Sequence, residues 1–102
     1  MYPARNRIEH EAWLDRIGNG AARLGLGDEA RANAVDLFLS DVPENDRSKP
    51  AAAAACLYAG ALLAGEQRSQ SAVAREMDVS RPSVQHRWKA RLADAGFDVP
   101  DW

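Results

Sequence analysis

The sequence has 102 residues, the size of one domain, and a net charge of −2 from 13 basic and 15 acidic side chains. Apolar residues make up 46% of it and charged residues 27%, a composition that is typical of a globular domain and excludes a disordered chain. The single cysteine, Cys56, excludes an internal disulfide and a cysteine-based zinc site.

Neither a signal peptide nor a membrane span is predicted. The N-terminal stretch "MYPARNRIEHEAW" is charged throughout and lacks the apolar segment of a signal peptide. The longest apolar stretch, residues 50–65, is shorter than the ~20 residues of a membrane helix, and its alanines contribute little hydrophobicity. We therefore expect a cytoplasmic protein that has no membrane segment.

Apolar residues recur at helical spacing from about residue 9 to residue 24 and predict the first helix. Gly18 and Gly20 weaken it by about 1 kcal/mol each relative to alanine and allow a kink, and Gly25 and Gly27 end it. The residues expected on its buried face are Trp13, Leu14, Ile17, Ala21 and Leu24.

Two further helices follow. The second begins at Asp28 and Glu29, since acidic side chains suit the positive end of the helix dipole. Its expected buried residues are Ala34, Val35 and Phe38, with Leu37 or Leu39 beside them. The third, residues 50–65, has Pro50 in its first turn and is apolar on every side. Because a helix without a polar face must be surrounded, we place it at the centre of the bundle, with Cys56 as a small buried residue.

The stretch "SQSAVAREMDVSRPSVQHRW" opens the most informative part of the sequence. Two short helical patterns meet at "MDVS" and predict a fourth helix at about residues 70–77 and a fifth at about residues 81–95, ended by Gly96. This pair is either two surface helices that close a bundle or a helix-turn-helix, residues 69–95, which inserts its second helix into DNA.

The residues at the turn favour the helix-turn-helix. Ala74 is small enough to sit where the two helices cross, and Val79 fills the turn. Asp78 stands where a glycine often adopts the left-handed conformation, which aspartate tolerates better than most residues. Ser80 is a good N-cap for the fifth helix, and Pro82 suits its first turn.

The fifth helix is predicted to have an apolar side and a basic side. Val84, Trp88 and Leu92 recur every four residues and form a buried stripe. Residues 80–93 include four basic side chains and no acidic one, whereas a merely solvated surface usually mixes both signs. Arginine and lysine neutralise phosphates, arginine also reads guanine, and glutamine binds adenine. The predicted base contacts are Arg81, Ser83, Gln85 and His86, and the predicted phosphate contacts are Arg87, Lys89 and Arg91.

Three segments, "LGLGDEARANAVDLF", "KPAAAAACLYAGALLAGE" and "SQSAVAREMDVSRPSVQHRWKARL", together give the chain a family likeness. Over about residues 9–95 it resembles one cyclin-type repeat of the archaeal transcription factor B and eukaryotic transcription factor IIB family, most closely the C-terminal repeat. The resemblance implies an all-α, five-helix cyclin-like bundle that occupies residues 1–102 as a single domain. It also implies a helix-turn-helix that reads a purine-rich element beside the TATA box, in repeats that clamp the TATA-binding protein on DNA.

The sequence departs from this family in several places. It contains neither the zinc ribbon that recruits the polymerase nor a first repeat, so we do not expect it to support basal initiation alone. Pro82 and Gln85 stand where the family has an aliphatic residue and an arginine for base reading, and Trp88 replaces its usual tyrosine. The positions that keep the family's residue character are Ser83, Val84, Arg87 and Lys89.

Enzymatic motifs find little support. His10 and His86 lie far apart in the sequence and outside any metal-ligand spacing, and "GNG" and "GLG" lack the lysine and strand of a phosphate loop. We therefore expect neither catalysis, nor a metal, nor a cofactor.

Two functions fit these sequence features. The first is a DNA-binding regulator of archaeal transcription, whose affinity for double-stranded DNA a homodimer or the TATA-binding protein would raise. The alternative is a cyclin-like protein-interaction module that binds the TATA-binding protein or another regulator without reading DNA. A third possibility is that the chain is the excised C-terminal repeat of a longer initiation factor. Trp102, at the end of the sequence, is expected either to pack back onto the domain or to be disordered.

Overall fold

The computed structural model describes residues 10–102, and within that range the chain forms six helices and no strand. The helices are α1 (Glu11–Arg23), α2 (Asp28–Ser40), α3 (Lys49–Leu63), α4 (Gln70–Glu76), α5 (Arg81–Gln85) and α6 (Trp88–Asp94). The all-α class is therefore confirmed, and the predicted fifth helix is present as α5 followed by α6. The predicted start of the first helix at residue 9 lies outside the described residues.

The alanine-rich helix α3 forms the centre of the bundle, as predicted. Every residue from Ala51 to Ala61 is buried, and α3 contacts each of the other five helices of the described range. Cys56 lies within this core with no exposed surface. Burial raises the pKa of its thiol to about 12, so the side chain is neutral at physiological pH. None of the helices between residues 10 and 102 is both long and apolar enough to cross a membrane.

Helices α2 and α3 approach each other most closely at Gly60. A Cβ atom at this position would lie 2.6 Å from the backbone nitrogen of Ala34 and 2.9 Å from the carbonyl oxygen of Ala30. Asn33 Nδ2 also donates a hydrogen bond of 3.3 Å to the carbonyl oxygen of Gly60. The small residues of α3 thus let two backbones pack directly, and glycine is required at the point of contact.

Helix α1 supports the segment that follows α4. Ile17 and Ala21 are buried, while the other three predicted core residues of this helix are half-buried. A Cβ on Gly20 would lie 2.6 Å from Met77 Sδ, so this glycine serves the contact between α1 and the end of α4.

The helix runs through both of its interior glycines without interruption. Gly25, with a φ of 70°, follows its end as predicted.

The expectation that Gly27 also ends α1 is wrong. Its φ is −85°, an ordinary value for any residue, and it is the N-cap of α2. Its backbone N–H donates to both carboxylate oxygens of Glu66, at 3.2 and 3.3 Å. A side chain from the loop after α3 therefore satisfies an amide at the start of α2.

A second tie from the same loop holds the end of α1. Arg68 Nε donates a 2.8 Å hydrogen bond to the carbonyl oxygen of Leu24, and its Nη2 donates to Gly25 at 3.2 Å. These acceptors are carbonyls that a helix C-terminus leaves without intrahelical partners. Together with Glu66, Arg68 fastens the loop before α4 to the loop between α1 and α2.

Candidate nucleic-acid interface

Helix α4 and the turn after it are held by short-range hydrogen bonds. Ser69 caps α4, because its hydroxyl accepts a 3.0 Å hydrogen bond from the backbone N–H of Ala72. After the helix, Asp78 adopts the predicted left-handed conformation, with a φ of 57°. The next N–H, that of Val79, donates to the carbonyl oxygen of Ala74 at 3.0 Å. The chain thus reverses between residues 77 and 80 and leads directly into α5.

Ser80 caps α5, as the sequence predicts. Its hydroxyl accepts a 3.4 Å hydrogen bond from the backbone N–H of Ser83, and the two serine hydroxyls lie 2.8 Å apart. Pro82 occupies the first turn, where its missing N–H costs nothing. Val84 is the buried residue of this helix. With five residues, α5 is only about 7.5 Å long.

The helix is interrupted at His86–Arg87. The N–H of Arg87 donates to the carbonyl oxygen of Val84, three residues back, at 3.1 Å, and regular bonding resumes from Arg91 to Arg87 at 3.2 Å. The φ of Arg87, −119°, departs from the helical mean, whereas its ψ of −25° stays in the right-handed region. Neither residue at the break is a glycine or a proline, so local residue preference does not explain the interruption.

The predicted buried stripe is confirmed despite this break. Val84 and Trp88 have no exposed surface and Leu92 has 1%. The indole of Trp88 packs edge-to-face on Tyr58 of α3, with ring centroids 5.1 Å apart. This side of α5 and α6 is therefore fixed to the centre of the bundle.

Four of the seven predicted DNA-contacting side chains lie fully on the surface. We call these residues the exposed cluster: Arg81, Gln85, His86 and Arg87. None of the four forms a side-chain hydrogen bond or an ion pair with another residue in the 10–102 range. They occupy one short segment whose opposite side is anchored in the core. Within residues 10–102, these four side chains are therefore free of hydrogen bonds and ion pairs that a ligand would have to break.

The other three predicted residues are half-buried and already have partners. Ser83 contacts the hydroxyl of Ser80, and the Lys89 ammonium lies 5.6 Å from the centroid of the Trp88 ring. Arg91 Nη1 donates a 2.7 Å hydrogen bond to the carbonyl oxygen of Asp41 and a 3.4 Å one to that of Leu37. Arg91 thus links α6 to the C-terminal end of α2.

Sequence reasoning did not assign roles to Gly60, Glu66 or Arg68. A glycine inside an alanine tract is a usable signal of close backbone approach. The two charged residues offer no comparable signal, because their partners lie about forty residues away along the chain.

The helical bundle belongs to a known family of repeats. Residues 12–93 match the family model of the transcription factor TFIIB repeat, and the chain belongs to this family. The resemblance inferred from the sequence is thereby confirmed.

Three curated relatives are archaeal proteins. The chain is 30% identical to transcription initiation factor IIB of Pyrococcus abyssi over 89 residues, which are 84% of this chain and 30% of the relative. It is 40% identical to transcription initiation factor IIB 2 of Haloferax volcanii over 76 residues, 71% of this chain and 23% of the relative. It is 29% identical to transcription initiation factor IIB of Archaeoglobus fulgidus over 89 residues, 83% of this chain and 27% of the relative. The chain therefore spans less than a third of the length of these relatives.

Proposed function

We propose that this chain acts in archaeal transcription by binding double-stranded DNA through a helix-turn-helix formed by α4 and α5. The observation that carries this proposal is the exposed cluster, whose four side chains lack internal partners within residues 10–102 on a segment anchored from behind by Val84 and Trp88. Membership of the TFIIB repeat family supports it, since the relatives are named transcription initiation factors. Residues 80–93 also carry four basic side chains and no acidic one.

The chemistry of the exposed cluster suggests which of its residues contact bases and which contacts a phosphate. Arg81 and Gln85 stand one turn apart on α5, and both side chains can bind a base edge through two hydrogen bonds. His86 follows at the end of the helix as a further base contact. Arg87, where the helix breaks, is assigned to a phosphate. Its charge can neutralise a phosphate without the fixed side-chain direction that reading a base requires.

Each of the three half-buried residues must leave an internal partner before it can contact DNA. Ser83 can reach a base only if its hydroxyl leaves Ser80, and Lys89 can reach a phosphate by leaving the Trp88 ring. Both changes are inexpensive because these contacts are near the surface. Arg91 would have to abandon two carbonyl oxygens, one in the last turn of α2 and one just after it, and we assign it a positioning role in place of the predicted phosphate contact.

Equilibrium binding to a fluorescent duplex tests the proposal. Arg87→Ala should weaken binding to all sequences alike and make the slope of log K against log salt shallower by about 1. Arg47→Ala is the matched control, since it removes the same charge from an exposed position in the loop between α2 and α3. Equal affinities for the two variants and the unaltered chain would contradict the assignment.

The small number of phosphate contacts implies a partner on DNA. One module with a few cationic contacts binds weakly at physiological salt. A second copy of this chain or the TATA-binding protein would add contacts and raise the affinity. Sedimentation with and without duplex DNA tests the homodimer: a strict monomer under both conditions would remove that version.

The alternative is a protein-interaction module that does not read DNA. It would bind the TATA-binding protein directly, and Arg81→Ala with Arg87→Ala would leave that binding unchanged. A pull-down with purified TATA-binding protein, in the absence of DNA, distinguishes the two functions. Binding that both substitutions leave unchanged favours the protein-interaction module.

A further inference from the structure

The last six residues fold back along α6. We call residues 97–102 the tail segment. Gly96, with a φ of 86°, ends the helix, and the N–H of Phe97 donates a 3.0 Å hydrogen bond back to the carbonyl oxygen of Leu92. Val99 is half-buried against the core. At the far end, the ring of Trp102 lies 5.3 Å from that of Trp88, with the planes tilted by 32°.

The dimensions of the chain agree with this path. Trp88 is the first residue of α6. At the helical rise of ~1.5 Å per residue, about 12 Å along the helix axis separates it from Gly96. Six extended residues span up to about 20 Å, which is enough to return to that level with slack. The tail segment therefore runs from the end of α6 to the place where α5 gives way to α6.

That place adjoins the proposed DNA-binding surface at Lys89. The Lys89 ammonium lies 5.6 Å from the centroid of the same Trp88 ring that Trp102 covers. Arg87 directly precedes Trp88 in the chain. Trp102 and Lys89, one of the residues proposed to contact DNA phosphates, thus lie against the same ring.

The tail segment has the opposite charge. It carries Asp98 and Asp101, both exposed, and no basic residue. Asp101 is adjacent to Trp102, so their Cα atoms are about 3.8 Å apart. Because the Debye length is about 10 Å at 0.1 M salt, the effect of these exposed carboxylates on the basic residues is strongest at low salt.

The contact that holds the tail is also a weak one. Trp102 remains 57% exposed, so its docking buries only part of one indole. Little free energy therefore opposes release of the tail segment.

We infer that the tail segment is an autoinhibitory element. With Trp102 docked on Trp88, Asp98 and Asp101 compete with DNA phosphates for the basic residues, and a bound duplex displaces the segment. This inference rests on the proposed function and concerns the regulation of the same site. Since only the open state binds fully, docking lowers the apparent affinity by the fraction of molecules that are open.

Duplex-binding titrations of four proteins test the inference: the unaltered chain, Trp102→Ala, the double variant Asp98→Asn with Asp101→Asn, and the control Asp15→Asn with Asp36→Asn. The control removes the same charge from exposed positions on α1 and α2. Both tail variants should bind about fivefold more tightly than the unaltered chain at low salt, and the gain should shrink at high salt. The control should differ from the unaltered chain by less than about twofold. Equal affinity of all four proteins would overturn the inference.

The NMR signal of the Trp88 indole N–H reports docking independently of affinity. Trp102→Ala should shift this signal, and saturating duplex should move it in the unaltered chain toward the position seen in the variant. A signal that duplex leaves unchanged while DNA binds would overturn the autoinhibitory role and leave the proposed function standing. If neither the unaltered chain nor the tail variants bind duplex, the proposed function fails and the inference fails with it.

Discussion

Arg91 Nη1 donates a 2.7 Å hydrogen bond to the backbone carbonyl of Asp41, and this bond joins α6 to the end of α2 across fifty residues of sequence. The carbonyl belongs to the residue that follows the last turn of α2, where carbonyl groups lack helical partners. A cationic donor at a helix C-terminus is favourable for both hydrogen bonding and the helix dipole. One side chain thus ties α6, which directly follows the candidate interface, to the end of α2.

Arg91→Ala should therefore lower stability more than it lowers DNA affinity. We expect a loss of about 1–2 kcal/mol in the free energy of unfolding, because a carbonyl group loses a charged donor. Arg87→Ala, which removes an exposed side chain, should leave stability within about 0.5 kcal/mol. Urea unfolding of both variants gives the comparison. If Arg91→Ala is as stable as the unaltered chain but binds DNA as poorly as Arg87→Ala, then Arg91 is a phosphate contact as the sequence predicts.

Gln85→Ala should change sequence preference more than overall affinity. A glutamine that binds an adenine through two hydrogen bonds contributes about 1–3 kcal/mol of discrimination at one base pair. Selection of bound duplexes from a random pool, at two salt concentrations, measures this directly. The variant should lose preference at one position of the selected site and retain the others. An identical selected site for both proteins would show that Gln85 does not read a base.

Gly60→Ala should destabilise the fold. Its added Cβ would meet two backbone atoms of α2 at 2.6 and 2.9 Å, and backbone cannot move aside as a flexible side chain does. Separating α2 from α3 should cost about 1–3 kcal/mol. Gly18→Ala is the control, because its Cβ would meet only Arg31 Cδ at an ordinary 3.7 Å. That variant should be equally or more stable, by up to about 1 kcal/mol, as expected for alanine inside a helix. Thermal unfolding of the two variants distinguishes these outcomes.

Cys56 should make stability depend on pH above neutrality. Burial raises the pKa of its thiol from 9.0 to about 12, so the folded chain keeps a proton that the unfolded chain loses. The resulting stabilisation is fully present below pH 9 and is lost as the pH rises from 9 towards 12, at about 1.4 kcal/mol per unit. Cys56→Ala lacks this group, and its free energy of unfolding should fall less over the same interval. Parallel pH profiles of the two proteins would contradict the assigned burial.

The features that depend on neighbours in sequence could be predicted. The spacing of Val84, Trp88 and Leu92 locates the buried stripe, and Ser80 and Asp78 adopt the conformations that their side chains favour. Helical periodicity and local turn preferences act within a few residues, so they can be predicted from the sequence.

The features that depend on distant partners could not be predicted. The bond from Arg91 to Asp41 and the ties from Glu66 and Arg68 to the loop after α1 arise only when separate helices meet. The break at Arg87 has no helix-breaking residue to mark it in the sequence. For this reason the sequence treats the seven candidate DNA contacts as one set, whereas the structure divides them into an exposed cluster and three engaged residues.

Chemical-shift mapping with a duplex tests the central claim most directly, because it shows where on the bundle DNA lies. Backbone amide signals of the unaltered chain would be followed as duplex is added at low salt. The account predicts that the largest changes centre on residues 81–89, with α1 and α2 nearly unaffected. Changes that cluster on α1 and α2 and leave residues 81–89 unmoved would contradict it.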